Sequence, residues 1–114
     1  MIPEISVSEL GLKLKSTEDF VLLDVREVEE LNAAKIVDKR LLVHPLSRLA
    51  REGAAALPEK LKKKDEKILV ICHHGNRSAQ VTHWLMKQGW TNVFNVAGGI
   101  DEYAREVDPS VGKY

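Results

Sequence analysis

The sequence predicts an α/β domain with a mainly parallel central sheet and helices on both faces of that sheet. Three short apolar runs have the length and composition of buried strands, and they cover residues 20–25, 68–72 and 93–96. Segments with helical spacing of apolar residues separate them, and this alternation is typical of a parallel sheet. A chain of 114 residues has the length of one domain, so we expect a single domain over residues 1–114.

Caps and apolar spacing indicate where the helices lie. Ser6 and Glu9 form a capping-box pattern, which predicts a first helix that ends near Lys15. Ser78 is predicted to be the N-cap of a helix that continues to Gln88. Further helical segments are expected at 28–31, 46–50, 58–64 and 100–107, and a further strand at 40–44.

Composition and charge exclude several classes of function. Lys plus Arg equals Asp plus Glu at 17 each, which gives no sign of a nucleic-acid or membrane partner. The longest apolar run, at 68–72, is far too short to cross a membrane. The first residues lack the basic and apolar segments of a secretory signal, and a lone cysteine fits a reducing compartment. We therefore expect a cytoplasmic protein, and nothing in the sequence calls for a cofactor.

Cys72, the lone cysteine, stands where a predicted strand ends and a predicted helix is about to begin. Ligands of parallel α/β sheets gather at this edge, the carboxyl ends of the strands. Nearby backbone N–H groups, a helix N-terminus and Arg77 all favour a negative charge on sulfur. The alternative is a small buried core residue, but that alternative does not account for Gly75, Arg77 and Ser78. The pattern predicts a nucleophilic thiolate.

The residues after Cys72 have the composition of an anion-binding turn. Gly75 suits a tight turn that needs a positive φ, and Asn76 tolerates the same region less well. Successive N–H groups in such a turn can converge on an anion. The planar fork of donors on Arg77 suits an oxyanion such as sulfonate or phosphate.

The motif Cys72-His-His-Gly-Asn-Arg77-Ser78 resembles the active-site loop of the rhodanese-like sulfurtransferases. Several further segments are similar to that family's landmarks, in the same order: residues 5–10, residues 21–26 with the glutamates at 27 and 30, residues 89–93 and residues 96–99. Nearly the whole chain is covered. The resemblance implies a rhodanese-like fold in a single-domain member of the family.

The resemblance also implies an activity and a site. Cys72 would carry a sulfane sulfur as a persulfide, from a donor such as thiosulfate to a thiophilic acceptor, either cyanide or a thiol. Asp24 and Arg26 would have a structural role near the site. The residues expected to bind the substrate or the persulfide are His73, His74, Gly75, Asn76, Arg77 and Ser78. The sequence leaves open whether Arg77 contacts the donor or stabilises the loop.

Loop length distinguishes two related chemistries. Four residues separate Cys72 from Arg77. In the phosphatases and arsenate reductases that share this fold, the motif has five residues between the cysteine and the arginine. The longer spacing would put Ser78 at the anchoring position, where an arginine is needed. A shorter ring of N–H groups suits a single extra sulfur atom better than a tetrahedral phosphate. Phosphatase activity is therefore disfavoured.

The same residues allow alternative hypotheses to sulfur transfer. Neighbouring side chains such as His73 and His74 are expected to project in different directions, and no second cysteine completes a ligand set, so no metal site is predicted. The two histidines would instead shape the pocket or add positive charge, and proton transfer by them stays possible. The non-enzyme alternative is a persulfide relay or docking module for a protein partner, with little small-molecule turnover. An inactive regulatory domain is disfavoured by the intact Cys72 and Arg77.

Overall fold

A central parallel sheet organises the computed structural model, which describes residues 2–114. Within that range the sheet has five strands in the order β1-β5-β4-β2-β3, and every pairing is parallel. The strands are β1 Glu4–Ile5, β2 Val21–Asp24, β3 Leu41–Val43, β4 Ile68–Ile71 and β5 Val93–Val96. The predicted α/β class with a parallel sheet is confirmed. Strand β1 was not predicted.

Four α-helices and four short 3₁₀ turns account for the remaining regular structure of residues 2–114. The helices are α1 Val7–Leu14, α2 Leu46–Glu52, α3 Asn76–Lys87 and α4 Gly99–Glu106. The 3₁₀ turns are Val28–Asn32, Ala54–Ala56, Glu59–Leu61 and Pro109–Val111. The capping box at the start of α1 is confirmed, since Ser6 and Glu9 each accept a hydrogen bond of 3.1 Å from the other's backbone N–H.

Two segments that were predicted to be helical form 3₁₀ turns rather than α-helices. The segment predicted at 58–64 contains only the 3₁₀ turn Glu59–Leu61, and the one at 28–31 is also 3₁₀. Leu61 is the one buried residue of the first turn, and the second turn buries none. Because tertiary packing of an apolar face supplies most of the stability of a short helix, neither segment is extended into a longer helix.

Apolar side chains of the strands alternate between two cores, one on each face of the sheet. Leu22 and Leu69 pack in the core that contains residues of α1 and α4. Leu23 and Val70, their neighbours along the chain, pack with residues of α2 and α3. Helices therefore cover both faces, as the near-continuous apolar runs predicted. Cys72 belongs to the core of the α2 and α3 face.

The strand order brings three chain segments together at the carboxyl edge of the sheet. Strand β4 lies between β2 and β5, so the turn after β4 is flanked by the ends of both neighbours. Asp24 ends β2, Cys72 follows β4, and Gly98 follows β5. In the part of the chain that the structure describes, no helix combines the length and apolar character needed to cross a bilayer.

Candidate active site

The loop after Cys72 turns directly from strand β4 into helix α3. Gly75 is the N-cap of the helix and has φ of 100°, so the prediction of a positive φ at this glycine is confirmed. Asn76 already lies in the helix and is exposed at the rim of the loop. The prediction that Ser78 caps the helix is wrong. Gly75 reverses the chain early enough for its carbonyl oxygen to accept from the N–H of Ala79, at 3.2 Å, which places Ser78 inside the first turn.

The sulfur of Cys72 faces hydrogen-bond donors of this first turn. Its Sγ accepts hydrogen bonds from the backbone N–H of Gly75 at 3.1 Å and of Ser78 at 3.3 Å. The hydroxyl oxygen of Ser78, itself buried, lies 3.2 Å from the same sulfur. Cys72 is only 1% exposed. Because the N-terminus of α3 also carries the positive end of the helix dipole, the surroundings of the sulfur favour negative charge on it.

Arg77 is held by a carboxylate from another part of the chain. Its two terminal nitrogens donate to the two carboxylate oxygens of Glu30, at 2.7 and 2.9 Å. Hydrogen bonding from Arg77 lowers the pKa of Glu30 to about 2, and Glu30 in turn raises the pKa of Arg77. Glu30 lies in the 3₁₀ turn after β2. The ion pair therefore ties the first turn of α3 to the segment that follows β2.

Asp24 and Arg26 form a buried ion pair beside the loop. The shortest contact, from Nη2 of Arg26 to Oδ2 of Asp24, is 2.7 Å, and the Arg26 side chain is fully enclosed. Nη1 of Arg26 also donates to the carbonyl of Ala34 at 2.9 Å and to the hydroxyl of Tyr114 at 3.1 Å. A buried charge is tolerated where it is paired and hydrogen-bonded in this way. These bonds hold neighbouring loops, in keeping with the structural role that the resemblance implied.

Tyr114 contacts three parts of the site at once. Its ring stacks on the ring of His73, with centroids 3.8 Å apart and planes inclined by 8°. Its hydroxyl donates to Glu30 at 2.9 Å, and Nε2 of His73 donates to its backbone oxygen at 3.1 Å. Tyr114 has no predicted role, because these partners are distant in sequence and leave no local pattern. Glu30 also had no assigned role, although it stands among the landmarks of the resemblance.

The two loop histidines lie side by side. Their rings stack with centroids 3.9 Å apart, so the expectation that they project in different directions is wrong. Stacking on Tyr114 holds His73 on its other side, and burial lowers the pKa of His73. Asp101 of α4 approaches both, and one ligand atom from each of the three residues lies within 4.8 Å of the other two. His74 is exposed, whereas His73 and Asp101 are half-buried.

Backbone hydrogen bonds join the start of α4 to the loop. The N–H of Ile100 donates to the carbonyl of Cys72 at 2.9 Å, and the N–H of Asp101 donates to that of His73 at 3.0 Å. Gly99 makes this approach possible, because a Cβ there would lie 2.4 Å from the carbonyl oxygen of His73 and 2.5 Å from that of Cys72. Its φ of 64° is also a conformation that favours glycine.

A match between a protein-family model and most of the chain shows which family the chain belongs to. A family model described as a rhodanese-like domain matches residues 6–106. The chain belongs to the rhodanese-like family. A solved structure of a rhodanese-related protein from Thermoplasma volcanium superposes on this rhodanese-like chain with a TM-score of 0.72 and 34% identity, covering 92% of this chain and 93% of that one.

Curated relatives of this rhodanese-like chain carry names from sulfur chemistry. A sulfurtransferase of Allochromatium vinosum is 34% identical over 112 residues, which are 97% of this chain and 96% of the relative. The putative sulfur carrier protein YrkF of Bacillus subtilis is 35% identical over 108 residues, 94% of this chain. The thiosulfate sulfurtransferase GlpE of Pseudomonas putida is 30% identical over 94 residues, 82% of this chain and 77% of GlpE.

Some relatives are considerably longer than this rhodanese-like chain. It spans 54% of the length of YrkF and 38% of a plant relative from Arabidopsis thaliana that also carries a PpiC domain. The A. vinosum sulfurtransferase, by contrast, is matched over nearly its full length. Taken with the family, these relatives support a general role in sulfur transfer.

Proposed function

We propose that this protein moves a sulfane sulfur from a small anionic donor such as thiosulfate to a thiophilic acceptor through a persulfide on Cys72. The observation that carries the proposal is the surroundings of Sγ, which accepts hydrogen bonds from the N–H groups of Gly75 and Ser78 at 3.1 and 3.3 Å. Such preorganised donors stabilise a negative sulfur without a separate general base. The short loop between Cys72 and Arg77 favours a single extra sulfur atom over a phosphate.

In the first half-reaction the thiolate of Cys72 attacks the outer sulfur of thiosulfate. A new S–S bond forms between Sγ and that sulfur, the S–S bond of thiosulfate breaks, and sulfite leaves with the electron pair. Cys72 is then a persulfide anion. Its terminal sulfur occupies the loop that residues 73 to 78 enclose, where backbone N–H groups and the helix N-terminus stabilise its charge.

In the second half-reaction the acceptor attacks the terminal sulfur of the persulfide. Cyanide forms a carbon–sulfur bond and leaves as thiocyanate, while the electron pair of the broken S–S bond returns to Cys72 as a thiolate. A thiolate acceptor would leave as a persulfide in the same way. Two half-reactions through a covalent intermediate give ping-pong kinetics. Because Cys72 is only 1% exposed, a small acceptor has an advantage over a bulky one.

We assign Arg77 to the loop rather than to the donor. Both of its terminal nitrogens donate to the carboxylate of Glu30, so this end of the guanidinium is already paired with an anion of the protein and uses two of its five N–H donors there. Its positive charge still contributes to the potential around the sulfur, while its hydrogen bonds hold the first turn of α3 in place. This assignment separates the role of Arg77 from that of the backbone N–H groups.

Mass spectrometry of the intact protein tests the proposal. After incubation with thiosulfate and removal of the excess, the wild-type chain should gain one sulfur atom, and cyanide should remove it with release of thiocyanate. Cys72→Ser should gain none. An unchanged mass of the wild-type chain, or the same gain in Cys72→Ser, contradicts the proposal.

A second candidate function is a persulfide relay that serves a protein partner. The observation that favours it is the similarity to YrkF, which is named a putative sulfur carrier and is 35% identical over 94% of this chain. Steady-state turnover with thiosulfate and cyanide should be compared with loading of Cys72 from the persulfide of a cysteine desulfurase. Fast loading from the desulfurase with negligible thiosulfate turnover supports the relay, and the reverse result supports the small-molecule enzyme.

A further inference from the structure

Three potential metal ligands meet at the rim of the loop that holds Cys72. His73 and His74 come from the loop itself, and Asp101 comes from the first turn of α4. One ligand atom from each lies within 4.8 Å of the other two, and Nε2 of His74 is 4.0 Å from Oδ2 of Asp101. Donor atoms around a tetrahedral metal with bonds of about 2.1 Å are separated by roughly 3.4 Å. The in-plane lone pairs of two nearly parallel rings do not converge on one ion, so the exposed His74 ring has to turn out of its stack on His73 to complete the site.

The backbone that carries these three side chains is already fixed. The N–H of Asp101 donates to the carbonyl of His73 at 3.0 Å, and the N–H of Ile100 donates to that of Cys72 at 2.9 Å. The two chain segments that supply the ligands are therefore held together by hydrogen bonds that do not involve the ligand atoms. A framework of this kind lowers the conformational entropy that metal binding would otherwise have to offset.

The tautomer of His73 is also suited to a metal. Its Nε2 lies 3.1 Å from the backbone oxygen of Tyr114, and a backbone oxygen can only accept. In the neutral ring Nε2 therefore carries the proton and Nδ1 keeps its lone pair. Metal-bound histidines commonly donate their other ring N–H to a carbonyl in this way. The stacked ring of Tyr114 further limits rotation of the imidazole.

We propose that His73, His74 and Asp101 bind a divalent transition metal ion such as Zn²⁺, with water completing its coordination. Two imidazole nitrogens and one carboxylate oxygen are a donor set that Zn²⁺ accepts, and three protein ligands plus water is a common arrangement. One existing contact competes with the metal. Nη1 of Arg105 donates to Oδ2 of Asp101 at 3.1 Å, but this arginine is about half exposed and can turn towards solvent. The site lies at the rim of the loop in which we place the persulfide, and Cys72 is not one of its ligands.

Binding of Zn²⁺ is measured by calorimetry on the full chain carrying Cys72→Ser, which removes the thiol as a ligand. One equivalent should bind. Adding Asp101→Asn or His74→Gln should weaken binding by at least about tenfold, because each removes a direct ligand. Adding His83→Gln should change nothing, because His83 is an exposed histidine of α3 outside the cluster. Circular dichroism spectra establish that each variant is folded.

Absorption spectra of the wild-type chain with Co²⁺ provide a second measurement. Ligand-field bands of a low-coordinate cobalt ion should appear without the intense thiolate-to-cobalt band in the near ultraviolet, since Cys72 is not among the proposed ligands. A thiolate band, no binding by Cys72→Ser, or equal binding by the Asp101→Asn and His83→Gln variants overturns the proposal. None of these measurements uses sulfur transfer, so their failure is distinct from failure of the proposed function.

Discussion

The guanidinium of Arg77 and the carboxylate of Glu30 form an ion pair with two hydrogen bonds, of 2.7 and 2.9 Å. The pair connects the first turn of α3 with the 3₁₀ turn after β2, two segments that are 47 residues apart at the paired positions. The loop between Cys72 and α3 is thus supported from outside as well as by its own backbone.

Replacing Arg77 by lysine should slow the loading of sulfur onto Cys72. Lysine keeps the charge but cannot form the two parallel bonds to Glu30, so one bond is lost. A hydrogen bond between charged groups contributes about 1.5 kcal/mol, which corresponds to roughly tenfold in rate if the loop geometry limits the reaction. Mass spectrometry of quenched samples gives the loading rate. Arg48→Lys, at an exposed arginine paired with Glu52, is the control, and equal rates in the two variants would contradict the prediction.

Glu30→Gln should lower the free energy of unfolding at neutral pH, and the difference from wild type should disappear in acid. The pKa of Glu30 is lowered from 4.5 to about 2 in the folded protein, mainly by hydrogen bonding from Arg77. A lowered pKa means that the carboxylate stabilises the fold above about pH 4.5, and that this contribution disappears as the pH falls towards about 2. Urea unfolding across this range measures it. Glu29→Gln, at the exposed neighbour, should show no such pH dependence.

Gly99→Ala should be far more damaging than Gly53→Ala. Both glycines have a positive φ, of 64° and 73°, so both substitutions strain the backbone, by about 1–3 kcal/mol each. At Gly53 a Cβ meets nothing within 4 Å, whereas at Gly99 it would lie 2.4 Å from the carbonyl oxygen of His73. The overlap adds roughly 1–3 kcal/mol to the loss of unfolding free energy. Equal losses in the two variants, measured in urea, would show that strain alone acts.

Tyr114→Phe should lower the unfolding free energy by about 1 kcal/mol. Phenylalanine preserves the stack on His73 but removes the hydroxyl that donates to Glu30 at 2.9 Å and accepts from Arg26 at 3.1 Å. Tyr114→Ala should cost more, because the stack is lost as well. Tyr103→Phe removes a hydroxyl from helix α4 and serves as the control in urea unfolding. If Tyr103→Phe lowers the unfolding free energy as much as Tyr114→Phe does, the hydrogen bonds of the Tyr114 hydroxyl do not contribute the predicted stability.

His44→Leu should make the protein less sensitive to mild acid. His44 is buried, and within residues 2–114 neither ring nitrogen has a hydrogen-bond partner. Burial lowers its pKa from 6.5, with Arg48 adding to the effect and Glu52 opposing it. Below about pH 6.5 the unfolded chain gains a proton that the folded protein resists, so stability falls. Unfolding in urea between neutral pH and about pH 5 should show a smaller fall in His44→Leu than in wild type or His83→Leu.

Local sequence patterns were sufficient to predict those parts of the fold that depend on neighbouring residues. The strand at 93–96 and the capping box of α1 were predicted with their observed positions. The two-residue strand β1 could not be predicted, because two residues show no periodicity and its pairing with β5 spans most of the chain. Ser78 is a good N-cap by composition, yet the positive φ of Gly75 starts the helix earlier.

The same distinction between local and long-range contacts separates the site residues that could be predicted from those that could not. The motif from Cys72 to Ser78 is contiguous in sequence, so its residues could be assigned together. Glu30, Tyr114 and Asp101 reach the loop through tertiary contacts, and a single sequence gives no direct signal of such contacts. Placement of Asp101 depends on strand order, since β5 must lie beside β4 for α4 to begin next to His73.

The hydrogen bonds from Ile100 and Asp101 to the carbonyls of Cys72 and His73 have a consequence for local unfolding. The loop cannot open without also releasing the first turn of α4, so the two segments form one cooperative unit. Hydrogen exchange at these two amides should then report every opening of the loop. A sulfur atom stored on Cys72 would be sheltered from bulk oxidants for as long as that unit stays closed.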